Sequence, residues 1–84
     1  MKKNVTVVFD EPQELGGKEV KEVVIRRPKF KDVRLASGLN DEVAMQNQLI
    51  RTLSGIDIMT DEELDEMWYD EYDKLQKAIE GFLS

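Results

Sequence analysis

Carboxylates crowd the second half of this 84-residue chain: Asp61, Glu62, Glu63, Asp65 and Glu66, then Asp70, Glu71 and Asp73. Such a run suggests a cation site first. It lacks the turn glycine and the alternating oxygen ligands of a calcium-binding loop, and helix capping and surface charge account for most of it. Paired carboxylates for glycoside chemistry need a cleft and a defined separation, for which a chain this small has little room. There is no histidine and no cysteine. The commonest general base near neutral pH, thiolate metal ligands, disulfide staples and cysteine nucleophiles are therefore all missing. Ser37 and Ser54 have no histidine to activate them, and Gly16-Gly17 lacks the rest of a phosphate-binding loop. These residues assemble no catalytic site, no metal site and no cofactor site. The chain reads as a binding protein and not as an enzyme.

Two other groups suit binding. Arg26, Arg27, Lys29, Lys31 and Arg34 form a basic cluster around Phe30. Phosphate contact is one reading, but no helix-turn-helix, zinc finger or ribonucleoprotein motif frames it. The plainer reading is a solvated connector whose arginines pair with the acidic second half. Trp68, Tyr69 and Tyr72 are the second group. Neighbours on one helix cannot both face inward, so Trp68 or Tyr69 belongs at the surface or at a helix junction. Both residue types are common interface anchors. Charge is polarised along the chain. Residues 1–34 hold nine Lys or Arg against six Asp or Glu, a net +3. Residues 35–84 hold three against twelve, a net −9. Such a molecule can steer a partner or pair head to tail with its own copy. Its net charge of −6 argues against nucleic acid as the main ligand. No apolar run is long enough to cross a bilayer. Met1-Lys2-Lys3 followed by Val5–Phe9 is too short for a secretory leader.

The elements that must position these groups follow from periodicity. The length suits one domain over 1–84. Asn4–Phe9 alternates with Val5, Val7 and Phe9 on one side, which predicts a strand that Asp10-Glu11-Pro12 ends. Gly16-Gly17 supplies a turn. Glu19–Arg26 predicts a second strand, with Val23 and Ile25 on one face and Val20 and Val24 on the other. Pro28 breaks it. Phe30, Val33 and Leu35 or Ala36 predict a short helix that ends near Ser37-Gly38. Asn40 or Asp41 caps a central helix over 43–53, whose face carries Met45, Leu49, Ile50 and Leu53 and which Gly55 closes. Thr60 and Glu63 form a capping box ahead of Leu64 and Met67. Asp70 reads as the cap of a last helix with Tyr72, Leu75, Ile79 and Phe82 as its apolar stripe. The predicted fold is α+β: an N-terminal antiparallel β-hairpin over 4–26 packed on a small bundle of three to four helices over 29–84.

The order of these features resembles a family, the tail assembly chaperones of tailed bacteriophages, notably those of Mu-like and related temperate phages with contractile tails. The matching segments are Val24-Ile25-Arg26-Arg27-Pro28 with Asp32 close behind, and Leu49-Ile50…Leu53-Ser54-Gly55-Ile56. Leu64 and Met67 then precede Asp70…Tyr72…Leu75, and the chain ends on Ile79…Phe82-Leu83. The resemblance runs from about Val5 to Leu83. Each segment alone is common; their order and spacing together carry the likeness.

The resemblance implies a non-enzymatic chaperone that binds the long, helical, partly apolar tape measure protein. It implies that the chaperone keeps that client soluble, helps recruit tail tube subunits, acts in the host cytoplasm and is absent from the mature virion. Many such phages also make a longer, frameshifted form, to which this chain would be the short counterpart, or it would be the only form where no frameshift exists. The apolar surplus around Gly55 suggests a client groove bordered by Leu49, Ile50, Leu53, Met67 and Trp68, with Arg26 and Arg27 at its rim. Two other readings stay open: a structural virion or tail-completion protein, and a small DNA-binding regulator using residues 26–34.

Overall fold

A computed structural model describes residues 4–56 and 58–83. Met1-Lys2-Lys3, Asp57 and Ser84 lie outside the described residues. Six elements follow in order: β1 (Asn4–Leu15), β2 (Lys18–Arg26), α1 (Phe30–Ser37), α2 (Glu42–Ser54), α3 (Asp61–Asp65) and α4 (Tyr69–Leu83). The fold is α+β, a two-stranded antiparallel hairpin followed by four helices.

The hairpin is longer than its sequence suggests. β1 does not stop at Asp10-Glu11-Pro12. It pairs with β2 from Asn4↔Arg26 to Val8↔Glu22, breaks register, and resumes at Gln13↔Val20. Proline lacks the N–H that a ladder requires, and inside this bulge none is required. The buried Gln13 amide donates to the carbonyls of Glu11 and Pro12 and so holds the irregular backbone together. Gly16 and Gly17 close the hairpin at φ of 66° and 76°, the left-handed region that a two-residue turn of this twist demands. A Cβ on Gly16 would also lie 2.6 Å from Ile56 Cγ2, so the α2–α3 linker packs directly on the turn.

Alternation decides which face the hairpin buries. Val7, Phe9, Val23 and Ile25 point into the core, with Val5 half-buried beside them, while Val8 and Val24 face out. α2 and α4 cover the inner face, and α3 packs on β1 near the turn. α2 supplies Leu49, Ile50 and Leu53, and α4 supplies Leu75 and Ile79. Each fully buried side chain of this size contributes about 1.5–3 kcal/mol relative to exposure.

The helix ends obey local chemistry. The Asp41 carboxylate accepts from the Val43 N–H, and Gly55 ends α2 at φ 75°. At α3, the Thr60 hydroxyl accepts from the Glu63 N–H while Glu63 accepts from the Thr60 N–H, a complete capping box. α4 begins two residues earlier than a cap at Asp70 predicts. The Trp68 carbonyl accepts from the N–H groups of Glu71 and Tyr72, and the Asp70 side chain accepts from Glu71 N–H within the first turn. α1 keeps only part of its predicted apolar stripe: Val33 is half-buried and Ala36 is the inward choice over Leu35. Phe30 is 80% exposed and Leu35 59%, whereas Asp32 and Ala36 are buried. One turn separates Asp32 from Ala36, so they share the inward face, and Phe30 falls nearly opposite.

Candidate interaction surface

Most of the residues predicted to border a client groove lie inside the core. Leu49, Ile50, Leu53 and Met67 are buried, packed with the hairpin face and α4. The structure brings them together as a cluster at the centre of the fold; Leu49 also reaches the α2–α4 groove and Met67 the depressions beside α3, while Ile50 and Leu53 are wholly enclosed. Trp68 stands apart from them at 65% exposure. It occupies the α3–α4 junction between two shallow depressions. One is lined by Pro12, Gln13, Glu66 and Met67, the other by Asp10, Glu11 and Asp70. The indole is thus an exposed aromatic set among carboxylates.

Tyr69 is 77% exposed and opens onto a different feature, a groove of about 510 Å³ between α2 and α4. Val43 and Met45 form its α2 wall, and Tyr69, Tyr72 and Leu83 its α4 wall. Tyr72 reaches past the groove, and its hydroxyl donates to the side-chain Oδ1 of the buried Asn47 at 2.8 Å. Burial raises the Tyr72 pKa above the ordinary phenol value, so the hydroxyl stays a donor at neutral pH. The charged residues lining this groove and its extension toward Leu64 are Glu42, Asp65 and Glu80, all acidic.

Part of the acidic run serves the fold. Glu63 bonds three backbone amides with one carboxylate. Oε1 accepts from Thr60 N–H and Gly16 N–H, and Oε2 accepts from Gly17 N–H, each at 2.9 Å. The Thr60 amide, followed by those of Gly17 and Gly16, holds its pKa below the usual carboxylate range. Glu71 is buried. Its Oε2 accepts from Glu11 N–H at 2.8 Å, and Lys74 Nζ forms an ion pair with Oε1 at 2.8 Å, outside good hydrogen-bond alignment. Lys74 first, then the Glu11 amide, keep the Glu71 carboxyl below its ordinary value. The same lysine donates to the Val8 carbonyl at 3.2 Å and approaches Asp10 at 3.4 Å. Two carboxylates from α3 and α4 therefore clamp the turn and the bulge of the hairpin. The Thr60–Glu63 spacing announces half of the first clamp. Nothing local in the sequence announces Glu71, whose amide partner is 60 residues away.

Arg26 of the basic segment pairs locally, with α1. Arg26 Nη1 lies 2.8 Å from Asp32 Oδ2, which also accepts from Lys29 N–H at 2.8 Å. The Arg26 guanidinium, then the Lys29 amide, lower the Asp32 pKa against the opposing effect of burial. Arg27, Lys29, Lys31 and Arg34 are exposed around Phe30. Arg51, at the end of α2, bonds the Met59 carbonyl and pairs with Asp61 at 2.9 Å, joining α2 to the start of α3.

Among the described residues no group of three or more acidic side chains is placed to hold a metal ion, and no helix is long and apolar enough to cross a membrane. The surface offers aromatic and apolar side chains on an acidic ground. Searches of curated proteins and of solved structures find no match. A family profile described as phage tail assembly chaperone proteins, E, or 41 or 14, does match, over residues 6–84, and with nearly its whole length covered the chain belongs to the phage tail assembly chaperones.

Proposed function

We propose that this chaperone binds the tape measure protein of its phage and keeps that long, partly apolar helix soluble until tail tube protein polymerises around it. The chaperone acts in the host cytoplasm and leaves before the virion is complete. Trp68 is the observation that carries the client reading: a large aromatic held out of the core at a helix junction, where folding alone gains little from it. Tryptophan buries much apolar area with few rotatable bonds, which suits a contact anchor. The core residues Leu49, Ile50, Leu53 and Met67 fix the α2 and α3 scaffold behind the indole. The carboxylates around it favour client segments rich in lysine or arginine, and keep coated complexes apart by repulsion. Single anchors of this kind bind weakly, and many copies along one client bind firmly yet yield to a polymerising tube.

Co-expression with the tape measure protein tests this. The native chain is expected to hold the client in the soluble fraction and to co-purify with it. Trp68→Ala is expected to lower co-purification several-fold while leaving the melting temperature nearly unchanged, as exposed positions do. The chain has one tryptophan, so its emission reports directly on binding and is expected to shift to the blue when client is added. A fully active Trp68→Ala variant with no spectral change would overturn the assignment of the site. Recovery of the chain from purified particles would overturn its exclusion from the virion.

A further inference from the structure

We propose that the α2–α4 groove holds a basic amphipathic helix, a client segment whose apolar stripe is flanked by lysine or arginine, at a site separate from the Trp68 anchor. That the helix belongs to the client rests on the function proposed above; the groove's choice of ligand does not. α4 sets the length of the site. Tyr69, Tyr72, Gln76, Glu80 and Leu83 line the groove, and their spacing of three and four residues makes them one stripe along the helix. Helical rise makes that stripe about 20 Å long, enough for about four turns of an incoming helix. Val43, Tyr69 and Leu83 stand exposed along it, so a ligand gains apolar burial there. Both walls are helices whose interior backbone groups already bond within their own turns. They offer an extended segment no backbone partners, whereas a helix arrives with its own satisfied.

Charge selects the sign of the ligand. Glu42 and Glu80 flank the apolar strip, Asp65 stands at its extension toward Leu64, and among the described residues no lysine or arginine lines either part. A helix with acidic flanks meets like charge, while one with lysine or arginine pairs with both walls. A hydrogen-bonding detail adds a requirement. Gln46 lines the groove, and its Nε2 is buried with no hydrogen-bond partner. A buried donor left unpaired is costly, and a serine, asparagine or glutamine oxygen in the ligand's stripe would satisfy it. The preferred segment is therefore apolar at successive turns, polar once among them, and basic at both edges. Trp68 opens onto different depressions. One chaperone thus grips its client at two places, and the second grip gains from the effective concentration that the first creates.

The test uses the purified full chain and synthetic peptides of about 15 residues. One peptide carries a leucine stripe with one asparagine, flanked by lysine and arginine. A second keeps the stripe and replaces each cation by glutamate, and a third scrambles the stripe at constant composition. The first is expected to bind with a Kd of about 10–100 μM, to move the amide resonances of Val43, Gln46, Tyr69 and Leu83, and to weaken as salt rises. The other two are expected to bind at least about tenfold more weakly. Glu42→Lys, and separately Tyr69→Ser with Glu80→Lys, are each expected to lower affinity for the first peptide about tenfold. These side chains are exposed, and circular dichroism checks that each variant folds. In co-expression the double variant is expected to lose client recovery several-fold. No binding of the first peptide below about 1 mM, equal binding of all three, or resonance changes confined to other surfaces overturns the proposal. So do groove resonances that move with protein concentration in the absence of peptide, which would give the groove to a second copy. Full client recovery by the double variant overturns the client as the source of the helix. Co-expression of Trp68→Ala addresses the anchor alone, so the two assignments can fail separately.

Discussion

Replacing Asp32 by asparagine removes one charge and almost no volume, and its cost can be worked out from the contacts. Asp32 Oδ2 accepts from Arg26 Nη1 and from Lys29 N–H, both at 2.8 Å. The carboxylate side chain is 3% exposed, so water cannot take over those bonds, whereas the Arg26 side chain is 38% exposed and keeps much of its hydration. Hydrogen bonds to charged groups contribute about 1.5–3 kcal/mol. Solvent access on the arginine side favours the lower end, about 1.5 kcal/mol. For a chain of this size that is a fall in Tm on the order of 10 °C.

The sign of the pH dependence follows from the lowered Asp32 pKa. The folded state binds the proton less readily than the unfolded one. The stabilisation is therefore complete above the unfolded value of about 3.9 and is lost as pH falls through the folded pKa. Thermal melts of native and Asp32→Asn chains should differ fully at neutral pH and converge as pH falls below about 4. Glu63 and Glu71 titrate low as well, and taking the difference between the two chains removes their contribution. A double-mutant cycle with Arg26→Met assigns the partner, with an expected coupling of about 1 kcal/mol. A Tm change within about 2 °C, equal at pH 3 and pH 6, together with zero coupling, would refute the reasoning.

Ile50→Ala should cost about 2–5 kcal/mol, measured by urea unfolding, because Ile50 is fully enclosed between the hairpin and α4 and its loss leaves a cavity. Glu63→Gln should speed amide exchange at Gly16, Gly17 and Thr60 while leaving the middle of α4 protected. Equal protection at those three amides in both chains would count against the turn clamp.

Much of the fold was legible because its signals are local. Val23 and Ile25 alternate, Gly55 stands one residue past α2, and Thr60 with Glu63 marks the start of α3. Proline in β1 misled because a bulge removes the ladder requirement that makes proline a breaker. α1 misled for the opposite reason. Periodicity favours apolar faces, but here a carboxylate takes the inward position because the Arg26 guanidinium and the Lys29 amide meet it there. The surface was harder to read. Met45, Leu49, Ile50 and Leu53 are equally apolar in sequence, and only the packing of α4 and the hairpin separates Met45 and the edge of Leu49 on the groove wall from Ile50 and Leu53 in the core. Glu71 was invisible as a structural residue, since a carboxylate in an acidic run looks like every other until its distant amide is found.

The two clamps also set an order in time. The hairpin is synthesised before the helices, yet the carboxylates that fasten its turn and bulge come 46 to 60 residues later. A two-stranded hairpin is marginal on its own. While the chain is being made, the strands can therefore pair and separate many times, with Val7, Phe9, Val23 and Ile25 still wet, until α3 and then α4 arrive. Native structure is committed only once α4 has been made. A ribosome that stalls between Gly55 and Glu71 would hold out an unlatched apolar sheet, open to whichever host chaperone or protease reaches it first.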